Sequence, residues 1–84
     1  MSRMLYVSNL PHSATEESLT ARFARCGTVI SVRIVRDPAT GYSRCFGFIE
    51  MATDAQAQTA IQRLNLMDCD GRLMSVNKAS PSRT

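Results

Sequence analysis

The chain has 84 residues, with ten Lys and Arg against seven Asp and Glu, so it is a single small domain with a formal net charge of +3. At 44% hydrophobic and 20% charged residues it has the balance of a folded chain rather than a disordered one. A domain this short holds one thin core and little room for a deep substrate pocket, which weighs against most enzymes.

Met4 to Ser8 alternates, with apolar Leu5 and Val7 on one side, and reads as a first strand. A loop follows over Asn9-Leu10-Pro11-His12-Ser13. Thr15 is a good helix N-cap, and Glu16 and Glu17 fall in the first turn, where the helix dipole favours carboxylates. Leu19 and Phe23 stand four apart and share one helical face, and Gly27 fits a C-terminal stop.

Period two returns from Thr28 to Arg36, with Ile30, Val32 and Ile34 on one face and Ser31, Arg33 and Val35 on the other. Asp37-Pro38-Ala39-Thr40-Gly41 is dense in turn formers, and Arg44 to Met51 forms the second arm of a hairpin. Thr53 with Gln56 three residues on reads as a capping box. Ala57, Ala60, Ile61 and Leu64 then follow the spacing of a second helix. Asp70-Gly71 marks a turn, with Asp68 and Asp70 serving it, and Arg72 to Ala79 is a last strand.

The order is βαββαβ. This predicts an α+β, ferredoxin-like sandwich: a four-stranded antiparallel sheet with both helices on one face and the other face open to water. Residues 1–79 form the domain and 80–84 a short flexible tail.

Alternation also assigns the faces. Cys45, Gly47, Ile49 and Met51 share one side of the third strand; Arg44, Phe46, Phe48 and Glu50 share the other. Two charges beneath the helices would cost several kcal/mol, so Phe46 and Phe48 face water. The same rule leaves Tyr6 on the open side. Three rings on a solvated face mark a binding surface. Arg33, Arg44, Ser75 and Asn77 would surround them with donors, and Arg3, Lys78 and Arg83 at strand ends or termini could reach the same strand. Flat rings stack unpaired bases, and guanidinium groups meet phosphates. Nine of the ten cations are arginine, the residue suited to gripping phosphate with two parallel bonds.

At these two strands the sequence resembles the RNA recognition motif family. Leu5-Tyr6-Val7-Ser8-Asn9-Leu10 matches the family's first-strand motif, and Arg44-Cys45-Phe46-Gly47-Phe48-Ile49-Glu50-Met51 looks like its third-strand motif. The likeness runs from about Arg3 to Ala79. It implies that Tyr6 and Phe48 each stack a base, Phe46 wedges against riboses, and Arg44 meets a phosphate. The chain departs from the pattern at Cys45 and Leu66, where glycine is usual, at Met51, where an aromatic is usual, and at Cys26, where a bulky aromatic is common. These changes imply repacking of the core and no lost contact to RNA.

The partner expected is single-stranded RNA, with single-stranded DNA as the alternative ligand, and the role that of an RNA chaperone or post-transcriptional regulator. The rival reading is a protein-binding module of the same fold, using the sheet or the helix face with Arg22, Arg25 and Arg63. Catalysis is not expected: His12 sits in the first loop with no obvious carboxylate or nucleophile placed to work with it. Cys26, Cys45 and Cys69 show no CxxC spacing, so no metal or other cofactor is expected, and reduced thiols fit a cytoplasmic protein. No run is apolar enough for a membrane span, no signal peptide is expected, and the domain reads as a monomer.

Overall fold

A computed structural model describes residues 3–69 and 71–79. The chain runs β1 (Met4–Ser8), α1 (Glu16–Phe23), β2 (Val29–Arg36), β3 (Ser43–Met51), α2 (Asp54–Leu64), β4 (Met67–Cys69) and β5 (Arg72–Lys78). Asp70 and the tail Ser80–Thr84, for which a turn and a loose end were expected, lie outside the described residues. The strands form one sheet in the order β2-β3-β1-β5-β4. Neighbouring strands all pair antiparallel, so β1 and β2 run parallel with β3 between them, and β3 and β5 run parallel with β1 between them. These are the two split βαβ units expected from the sequence.

The sheet has five strands rather than four. The addition is β4, a three-residue edge strand that pairs Met67 with Met74 and Cys69 with Arg72. It is too short to show a period in the sequence. Asp68 does serve the turn that follows, its Oδ1 accepting the Gly71 N–H at 3.2 Å.

Thr15 caps α1 through its hydroxyl, which accepts the Ser18 N–H, while the Ser18 hydroxyl accepts the Thr15 N–H, both at 3.0 Å. The Thr53 hydroxyl accepts the Gln56 N–H at 3.1 Å, but the return half of that box is not made. Gln56 instead turns its carboxamide oxygen to the Thr28 N–H at 2.9 Å, which ties α2 to the start of β2. This also revises the part played by Gly27. The helix ends earlier, at Phe23 with Ala24 as its cap, and Gly27 is where the Gln56 side chain crosses. A Cβ there would lie 2.5 Å from Gln56 Cδ.

The core lies between the sheet and the two helices. Leu5, Val7, Ile49, Met51, Met74 and Val76 come from the sheet, Leu19 and Phe23 from α1, and Ala57 and Ala60 from α2. The two alanines let α2 approach closely. No polar or charged residue is buried among the described residues. One expectation fails in β2: Ile30 does not join Val32 and Ile34. Val29 pairs with Met51 and Ser31 with Glu50, so Ile30 is the extra residue of a bulge and is 56% exposed.

The departures from glycine at Cys45 and Leu66 act on the backbone, and Cys45 also packs against the core. Both residues adopt left-handed conformations, with φ of 68° and 64°. Such a conformation costs an ordinary residue roughly 1–2 kcal/mol. Leu66 is 60% exposed, so its side chain recovers little of this through burial. Leu66→Gly is therefore expected to raise stability by about 1 kcal/mol in urea unfolding; no gain would contradict the strain assigned here.

The Arg36 guanidinium meets both Glu16 carboxylate oxygens, at 2.6 and 3.0 Å, and so ties β2 to the first turn of α1. These bonds hold the Glu16 carboxyl at about 2, below its ordinary 4.5. A pKa lowered by folding contributes stability above the unfolded value, and that contribution is lost as pH falls from about 4.5 to about 2. Both side chains are about two-fifths exposed, so the effect is small and screened by salt. The stability difference between the native chain and Glu16→Gln is expected to shrink over that pH range, and to be smaller throughout in high salt.

Candidate nucleic-acid interface

Pairing across β1, β3 and β5 decides what the open face presents. Tyr6 lies opposite Phe48 on one side and Asn77 on the other, and Arg33 lies opposite Phe48. One row across the sheet is therefore Arg33, Phe48, Tyr6 and Asn77. The next contains Phe46, Ser8 and Ser75. The three rings touch: Tyr6 is 5.7 Å from Phe46 and 5.6 Å from Phe48, each tilted by 50°, and Phe46 meets Phe48 edge-on at 6.5 Å. Tyr6 is 36% exposed and the two phenylalanines are half-buried. Each ring is thus braced by its neighbours and still presents a surface to solvent.

Gly47, between the two phenylalanines, is required by the approach of β2. A Cβ there would run into the Arg33 carbonyl oxygen and come within 3.1 Å of Ile34 Cα. The glycine lets β3 lie close against β2, which brings Arg33 alongside Phe48.

The polar residues are placed unevenly. Arg33 is exposed beside Phe48, and Arg44 is exposed at the start of β3; neither guanidinium has a partner among the described residues. Asn77 donates to the Ser75 hydroxyl at 3.3 Å along the open side of β5. Glu50, in the row beyond Phe48, is paired with Arg3 at 3.2 Å. Lys78 is not brought to the rings. It lies opposite Leu5 and alternates with Met74 and Val76, which puts it on the helix side at the end of β5.

Three features at the other end of the sheet had not been read from the sequence. Asn9 takes a left-handed φ of 59°, donates to the Leu73 carbonyl oxygen and accepts from Arg72, both at 2.9 Å. It thereby locks the end of β1 to β5. Asparagine tolerates this conformation, which was the only signal available. His12 is exposed, and its Nε2 lies 3.6 Å from Cys45 Sγ, 33 residues along the chain. Leu73 is exposed on the Ser75 side of β5 and widens the apolar part of the face.

Comparison with known proteins gives this geometry a family. The family model for the RNA recognition motif matches residues 5–75. The chain belongs to the RNA recognition motif family. This family member is 47% identical, over 92% of its length and 75% of the relative's, to a candidate RNA-binding protein, RbpB, of Nostoc sp.. Its fold matches the crystal structure of RNA-binding protein PG1 with a TM-score of 0.90 at 38% identity, over 99% of each chain. It matches the Rna15 RNA recognition motif, solved with bound RNA (GU), with a TM-score of 0.87 at 28% identity, over 100% of this chain and 89% of that one.

In this member of the family Gly47→Ala is expected to cost about 1–3 kcal/mol, because the methyl meets backbone that can yield only by parting β2 from β3. The near-ultraviolet signal of the ring cluster should change with it. A native spectrum at native stability would contradict the close approach.

Proposed function

We propose that the chain binds a short single-stranded RNA across its open sheet face, as a binding module rather than a catalyst. The observation that carries this is the cluster of Tyr6, Phe46 and Phe48, three touching rings on a solvated surface flanked by guanidinium groups that have no partner among the described residues. Tyr6 and Phe48 stack one base each, and Phe46 packs against the sugars between them. Arg33 and Arg44 meet the phosphates. The amide and hydroxyl of Asn77 and Ser75 offer donors and acceptors to base edges. Lys78, at the end of β5 on the helix side, reaches only a strand that extends past the sheet. The RNA-bound Rna15 domain, alike in fold, supports RNA as the ligand; single-stranded DNA would meet the same rings.

One module of this size covers roughly two to four nucleotides. Stacking contributes about 1–3 kcal/mol per base, so two stacked bases and a few phosphate contacts give roughly micromolar affinity. Binding of that strength suits the transient contacts of an RNA chaperone or a post-transcriptional regulator.

Phe48→Ala is expected to weaken binding of a short single-stranded RNA by about 1–3 kcal/mol, read by fluorescence anisotropy. The variant should remain folded, losing about 1 kcal/mol of stability because the ring is half-buried against Tyr6. Unchanged affinity in the folded variant would overturn the stacking assignment. Arg44→Ala acts differently: it should lower affinity mainly at low salt and flatten the salt dependence by about one phosphate contact.

A further inference from the structure

On the helical side of the molecule, α1 and the connection from α2 to β4 border an open groove of about 440 Å³. Ser18, Ala21, Arg22, Arg25, Leu64 and Met67 line it. The first four are spaced i, i+3, i+4 and i+7, one stripe running along α1 into the turn after it. Ser18 and Ala21 are small and leave the space; Leu64 and Met67 form an apolar floor. Met67 is half-exposed, and Leu66 beside it more so. Arg22 donates to the Asp68 carbonyl oxygen at 3.3 Å and so ties α1 to β4. Among the described residues Arg22, Arg25 and Arg63 meet no carboxylate, since the ion pairs there are Arg3–Glu50 and Arg36–Glu16.

We infer that this groove docks an acidic protein segment carrying an aliphatic anchor. The anchor lies over Leu64 and Met67, and carboxylates of the same segment meet Arg22 and Arg25 in the paired geometry that guanidinium favours. Charge and apolarity must be matched together. A nucleic acid supplies phosphates but leaves Leu64, Leu66 and Met67 uncovered. It also finds no ring to stack on: Tyr6, Phe46 and Phe48 occupy the opposite face, Phe23 is buried, and Tyr42 belongs to the β2–β3 loop. An acidic segment with leucine or isoleucine meets both requirements. Because the sheet lies between the groove and the rings, such a partner and an RNA strand can be held at once.

The test is an amide chemical-shift titration of the full chain with two probes. One is a short synthetic peptide alternating leucine with glutamate and aspartate; the other is a short single-stranded RNA. The peptide should shift Ala21, Arg22, Arg25, Leu64 and Met67 and leave Tyr6 and Phe48 in place. Arg25→Glu, which breaks no side-chain hydrogen bond or ion pair among the described residues, should weaken the peptide by about tenfold or more without changing RNA affinity. Arg22→Glu combined with it should weaken the peptide further. Absence of shifts at roughly millimolar peptide would overturn the inference. So would peptide affinity indifferent to the charge reversal, shifts confined to the sheet face, or groove amides that move with RNA instead.

Discussion

Burial of Ile49 and Met51 beneath the helices forces Phe46, Phe48 and Glu50 onto the opposite surface of β3. A strand alternates with period two, so a core on one side dictates the other. The same constraint in β1 buries Leu5 and Val7 and turns Tyr6 outward. Pairing of β1 with β3 then brings the rings into contact. The exposed ring surface is thus a consequence of the core. Changes that alter register, rather than only ring chemistry, disturb both together.

Gly47 is where that dependence is tightest. Without a side chain it admits the β2 backbone, which carries Arg33 to the edge of Phe48. The cation beside the ring and the tight core therefore rest on one missing methyl group. Elsewhere the chain keeps left-handed backbone without glycine, at Cys45 and Leu66. At Cys45 this places a thiol within reach of His12, at the end of the sheet where the rings begin. These positions bear on stability, while the ring surface itself follows the regular part of the strand.

The faces of β1 and β3 were legible because charges and rings fall on one parity and aliphatic residues on the other. In β2 the same parity holds for Val32, Arg33 and Ile34, but the bulge at Ile30 appears only through pairing with β3. The sequence places Lys78 at the end of the last strand, but only the register, which sets it opposite Leu5, shows that it leaves the sheet on the helix side. The brief β4 and the bond from Gln56 to Thr28 depend on contacts between distant segments, which local periodicity does not record. Asn9 falls between these cases, since its residue type permits the turn but only the fold supplies Leu73 and Arg72 as partners.

Core and interface are thus two sides of the same strands, and the helical layer leaves a second, chemically different surface. In the proposed complex, bases rest on the rings of the open face. Nuclear Overhauser contacts between a short single-stranded RNA and the chain test it most directly. Base protons in contact with the ring protons of Tyr6 and Phe48, with Ile49 and Met51 unperturbed, are the predicted result. A bound RNA whose bases make no contact with these rings would contradict it.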